Sequence, residues 1–158
     1  MFQLLTEFAS YHWAFLIGPK VENAAVPGTY YHVKNPISKG WIYEEAQVQD
    51  VRNTLTLLAR IVIGKITDEA RLIEIIRSTP VAQDDPNWRC RTWVADVLAR
   101  VARDGGAVGT ADLSWPRIER VARDYVGRKT AEGRYGTGSD MEKPKPTWDM
   151  LEKRELWP

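Results

Sequence analysis

The 158-residue sequence holds one cysteine, Cys90, and two histidines, His12 and His32. A thiol that attacks a carbonyl needs a base to take its proton and a third group to hold that base in the right tautomer. In the stretch Trp88-Arg89-Cys90-Arg91-Thr92-Trp93-Val94, the cysteine precedes two apolar residues by three and four positions. On a helix it therefore shares their inward face. At a helix N-terminus, unpaired N–H groups and the positive end of the dipole stabilise a thiolate and lower a cysteine pKa below its free value of about 8.5. Arg89 and Arg91 add positive charge on either side. A lone cysteine on such a face is otherwise a small hydrophobe. Its chemistry depends on what the chain brings to it.

The elements that must do so are strands in the first half and helices in the second. Tyr11 to Ile17 is an aromatic, β-branched run closed by Gly18-Pro19, and Thr29 to Val33 is another, closed by Asn35-Pro36. Together they predict an antiparallel hairpin with a loop of about ten residues. His12 opens the first strand and His32 closes the second, so the ladder brings them near each other and one imidazole can orient the other. Trp41 to Val48 predicts a third strand and Thr54 to Ile63 a fourth. Thr67 or Asp68 caps a helix carrying Leu72, Ile73, Ile75 and Ile76 and ending at Pro80. A second helix begins near Asp85-Pro86 or Asn87, carries Trp93, Val94, Val97, Leu98 and Val101, and stops at Gly105-Gly106. A third starts at Ser114, with Trp115, Ile118, Val121, Ala122 and Tyr125 as its apolar stripe. Residues 133–158 predict an irregular strap, Gly- and Pro-rich to Pro146, with a last helical turn over Thr147–Leu151. The expected architecture is α+β, one domain over 1–158. An antiparallel sheet of about four strands in the N-terminal half packs against three helices in the C-terminal half.

A histidine on one strand, a second polar residue on the next, and a cysteine at the start of a later helix: this order resembles the circularly permuted papain-like enzymes. They include permuted NlpC-type peptidases, lecithin:retinol acyltransferase-like proteins and PPPDE-type peptidases. The acyltransferase-like group carries Asn-Cys-Glu-His-Phe-Val. Here Arg89-Cys90-Arg91-Thr92-Trp93-Val94 matches at the cysteine and the aromatic-Val pair and departs at the Asn and the Glu-His. His12-Trp13-Ala14 resembles the family's strand histidine, and His32 falls where the third catalytic residue lies. The likeness covers roughly residues 10–104 and implies a cysteine-dependent hydrolase or acyltransferase acting on an amide, ester or thioester carbonyl. Cys90 is then the nucleophile, His12 the base and His32 its orienter. Trp88, Trp13 and Arg89, which flank these residues, are the candidate substrate contacts. The alternative reading is a catalytically inactive papain-like domain, or a biosynthetic accessory protein, that holds a small molecule in an aromatic-lined cleft.

Composition narrows the other classes. A formal charge of +1 and no long run of like charges give no electrostatic reason to expect nucleic acid as partner. The partner expected is a small-molecule or peptide substrate. No apolar stretch reaches the roughly 18 residues of a membrane span, and Glu7, His12 and a start without Lys or Arg argue against a secretory signal. One cysteine makes no internal disulfide, and a cytoplasmic setting is expected. No Cys/His spacing suits zinc and no glycine-rich phosphate loop is present, so no metal or cofactor is expected. Glu44-Glu45 point to opposite faces of a strand and make no acid–base pair. Asp85 before Pro86 reads as a helix cap.

Overall fold

The computed structural model describes residues 1–7, 12–19, 25–52, 57–136 and 143–158. The strands are β1 (Phe2–Glu7), β2 (His12–Ile17), β3 (Gly28–Lys34), β4 (Ile42–Val48), β5 (Leu57–Ile66), β6 (Val108–Ala111), β7 (Thr147–Asp149) and β8 (Arg154–Trp157). Helices α1 (Glu69–Ser78) and α2 (Cys90–Asp104) lie between β5 and β6, and α3 (Trp115–Ala131) follows β6. No helix among the described residues is long and apolar enough to cross a membrane.

The chain is α+β, but the four-stranded antiparallel sheet predicted above is wrong. Among the described residues the sheet has eight strands in the order β4-β3-β2-β1-β5-β7-β8, with β6 also paired to β5. It is mixed, because β7 runs parallel to β5 from Arg60↔Thr147 to Val62↔Asp149. Two physical causes explain the error. In β1, Phe2, Leu4 and Thr6 are fully buried, and so is Gln3 between them. With both faces covered, no apolar-polar alternation marks the strand. Strands β7 and β8 are three and four residues long in a tail whose glycines and prolines read as loop. Thr147–Asp149 is therefore extended where a helical turn was expected. The buried Arg60 secures it by donating from Nε to Thr147 Oγ1 at 3.0 Å. Tyr11 and Thr54–Thr56, expected to open two of the strands, lie outside the described residues.

The helices follow their caps. Asp68 Oδ1 accepts the Arg71 N–H at 3.0 Å to start α1, and the left-handed Gly105 (φ 69°) ends α2. The start of α2 is later than Asp85–Asn87. Asp85 accepts the Asn87 N–H on its side chain at 2.8 Å, and the Trp88 N–H on its carbonyl at 3.1 Å. It caps a separate turn, and this delays the helix until Cys90.

All three helices contribute to one core against the sheet. Alternation along β2 sends Trp13, Phe15 and Ile17 into that core with Trp93, Val94 and Val97 of α2. Ala14 and Leu16 form a second cluster with Val51 and Leu57 on the opposite face. Trp93 is the joint that seats the first turn of α2. It is fully buried, with ring centroids 5.8 Å from both Phe15 and Tyr43. Its indole Nε1 has no hydrogen-bond partner among the described residues. Trp93→Ala is expected to cost about 3–5 kcal/mol, whereas Trp93→Phe, which leaves a smaller cavity and removes the unpartnered N–H, costs less. Urea titration by circular dichroism measures both. Equal losses for the two variants would refute this account of the joint.

Candidate functional site

The two strands that carry the histidines part company at one end. Their ladder runs from Ile17↔Thr29 to Ala14↔His32 and stops there. Beyond that point β2 stays with β1 as far as Glu7↔His12, and β3 stays with β4 as far as Lys34↔Ile42. Pro36, which follows Asn35, has no N–H to extend a ladder and biases its predecessor's backbone. The gap is a cleft of about 420 Å³. His12 and Trp13 border it from β2, Lys34 and Asn35 from β3, and Trp41, Arg123 and the first turn of α2 complete the wall.

Cys90 is the first residue of α2, half-buried and packed against the helix-side core, and it borders the cleft. Burial pushes its thiol pKa up. The backbone N–H groups of Trp13, Arg91 and Cys90 and the Arg91 charge all act to lower it, and burial outweighs them. The expectation that the helix start leaves a ready thiolate is thus reversed. The amides are where the sequence predicts them, but the same inward face that aims the sulfur at the sheet removes it from water. At neutral pH the resting group is the thiol.

His12 Nε2 and His32 Nδ1 are 2.8 Å apart, with the rings edge to face. His32 Nε2 lies 2.9 Å from Glu44 Oε2, and Lys34 Nζ donates to Glu44 Oε1 at 2.7 Å. The register explains the chain. Ala14, His32 and Glu44 are mutual partners across β2, β3 and β4 and share the sheet face turned from the helices. His12 is two residues along from Ala14 on that face, diagonal to His32. The Lys34 ammonium first, and the His32 ring second, hold the Glu44 carboxyl below the usual carboxylate range. Glu44 is then an acceptor only, so His32 donates from Nε2 and must accept at Nδ1 when neutral. His12 donates from Nε2, which leaves the basic lone pair on its Nδ1. The expected relation of the two imidazoles is present in the structure.

His12 and Cys90 approach this cleft from different faces of β2. His12 shares the face of Ala14, whereas the sulfur interacts with the Trp13 N–H from the helix side. The parting of β2 from β3 lets both border one space. The other predicted contacts divide. Arg89 borders the cleft, with Nη1 donating to the Pro86 and Trp88 carbonyls at 2.7 and 2.6 Å. Trp13 borders it too, yet its ring is buried edge-on against Trp115 at 5.0 Å, with the Arg123 guanidinium 5.8 Å from its centre. Trp88 does not border it. Trp88 is buried and meets Trp41 edge-on at 5.1 Å, and Trp41 forms the wall.

Glu44 with its partner Lys34, Trp41 and Arg123 escaped the sequence reading. Glu44 was dismissed because its neighbour points the other way; that alternation is what frees it for His32, while Glu45 pairs with Arg77 at 2.6 and 2.8 Å. Folding the chain about Ser38, left-handed at φ 69°, sets Glu44 opposite His32 and was the available signal. Trp41 is placed by a clamp: its N–H donates to Gln83 Oε1 at 3.1 Å, and Gln83 Nε2 donates to its carbonyl at 2.7 Å. Arg123 comes from α3, and no local pattern connects it to Cys90. Among the described residues no group of three or more His, Cys, Asp or Glu is placed to hold a metal ion.

The fold and site define an α+β protein with a mixed sheet, in which a thiol and one imidazole of a hydrogen-bonded pair border one cleft. The chain belongs to the DUF6914 family, a family of unknown function, whose model matches residues 4–157. No curated protein and no solved structure matches it.

The raised thiol pKa has a measurable consequence. The iodoacetamide rate at Cys90 should rise with pH through a midpoint above the roughly 8.5 of a free cysteine. The folded pKa exceeds the unfolded one, so the thiol's contribution to stability is complete below about pH 8.5 and is lost as pH rises through the folded value. Cys90→Ala should lack that alkaline loss. A midpoint near pH 6 would mean that the amides, not burial, govern the group.

Proposed function

We propose that this protein is a cysteine-dependent hydrolase or acyltransferase acting on an amide, ester or thioester carbonyl. The observation that carries the reading is that Cys90 and His12 border the same cleft, with His12 tied through His32 to Glu44. Because burial keeps the thiol protonated at rest, the chemistry follows the general-base pattern rather than a standing thiolate–imidazolium pair. As Sγ bonds to the carbonyl carbon, the thiol proton moves to His12 Nδ1. The carbonyl π pair goes to oxygen, where the Cys90 backbone N–H at the helix start is one donor; such a donor is worth about 2.7–4 kcal/mol when aligned. Collapse breaks the bond to the leaving group, which takes the proton from His12. Water or a second acceptor, deprotonated by His12, then releases the acyl group and restores the thiol. His32 and Glu44 hold the tautomer and stabilise the imidazolium that forms in each half-reaction. The lone thiol suits a reducing compartment such as the cytoplasm.

Two observations favour the alternative, a cleft that holds a small molecule without chemistry. Burial works against ionisation of Cys90, and Trp41 offers an aromatic wall. Incubation with p-nitrophenyl acetate, read by intact mass and peptide mapping, separates the two. Catalysis predicts one acetyl group on Cys90, formed 10²–10⁴ times more slowly in His12→Ala. Acetylation as slow in the wild type as in His12→Ala would remove catalysis and leave binding.

A further inference from the structure

The cleft beside Cys90 has a one-sided charge. Lys34, Arg89, Arg91 and Arg123 border it, and no carboxylate does so among the described residues. Two of these cations are balanced away from the cleft: Lys34 by Glu44 at 2.7 Å, and Arg123 by Glu119 at 2.7 Å. The other two flank the thiol. Arg89 Nη1 bonds only neutral carbonyls, and neither Arg89 nor Arg91 has a carboxylate partner among the described residues. Both are exposed. With the sulfur protonated at rest, no thiolate compensates them either. Two guanidiniums beside Cys90, in a cleft that no carboxylate among the described residues borders, form a focus of positive potential open to a ligand.

We propose that the ligand of this cleft is an oxyanion, so that the substrate carries a carboxylate or phosphate group that Arg89 and Arg91 hold while its carbonyl lies at Cys90. What happens to the ligand rests on the acyl-transfer reading; its charge rests on the cations alone. The planar fork of a guanidinium matches either oxyanion in bidentate fashion. Arg91 is the better reporter. It is exposed and its side chain makes no hydrogen bond among the described residues, whereas Arg89 also braces the turn before the helix.

Because Cys90 is the sole thiol, alkylation reads this site alone. Iodoacetate and iodoacetamide differ in charge and little in size, and at one pH the thiolate fraction cancels from the ratio of their rates. That ratio should be about fivefold higher in the folded protein than in the same chain unfolded in urea, and it should fall as salt is added. Arg91→Gln should bring it down by severalfold, and Arg91→Lys, which keeps the charge, should restore it. A folded ratio equal to the unfolded one overturns the proposal. If neither reagent reaches the folded thiol, the acyl-transfer reading fails by itself. Binding of succinate and of inorganic phosphate, followed by tryptophan fluorescence, then decides. Saturable quenching by either anion, weakened in Arg91→Gln and kept in Arg91→Lys, upholds an oxyanion site and tells which group it takes. No binding of either, or binding untouched by Arg91→Gln, rejects it.

Discussion

The parting of β2 from β3 beyond Ala14↔His32 is the constraint on which the site depends. A continued ladder would pair away the strand residues that now border open space and would seal the sheet between its faces. Once the strands separate, the Trp13 N–H meets a sulfur, and the helix that supplies that sulfur is seated over the gap by Trp93. The same separation lets groups from opposite faces of one strand share a space. Backbone geometry therefore does what side-chain alternation forbids.

The electrostatics of the cleft arise from a competition that burial wins at the thiol and loses at the carboxylate. Cys90 faces hydrocarbon, and its amide donors do not offset the lost hydration. Glu44 stands at the sheet surface, where an ammonium and an imidazole hold it ionised at little desolvation cost. The result is polarity in one direction: an anchored anion at the outer end of the imidazole pair and a neutral thiol on the other side of β2. The carboxylate end determines the neutral tautomers of both rings.

Much of this was legible in the residues, and what was not has physical causes. The helices declare themselves through caps and stripes, since Asp68 caps a loose amide of α1, Gly105 turns left-handed at the end of α2, and Ser114 precedes α3 without a side-chain bond to it. The hairpin strands declare themselves through runs of aromatic and β-branched residues between Gly-Pro and Asn-Pro. β1 was hidden because both its faces are covered, and β7 because its extended form depends on a buried Arg60 far away in sequence. At the site, Cys90, His12 and His32 stand out by scarcity of type. Glu44 and Arg123 belong to abundant types, and only register and tertiary packing reveal them. The sign of the Cys90 shift was missed because a dipole can be inferred from a helix start, whereas the depth of a side chain cannot.

The clamp between Gln83 and Trp41 couples two parts of the wall that the chain order keeps apart. Gln83 belongs to the segment leading into α2, and Trp41 to the turn leading into β4. The oxygen and the nitrogen of the glutamine side-chain amide both engage one residue's backbone, so the aromatic plate and the segment running to the thiol helix are tethered at that point. A ligand that levers the plate outward must also draw on the approach to Cys90. Displacement of the rim is thereby coupled to the segment that leads to Cys90.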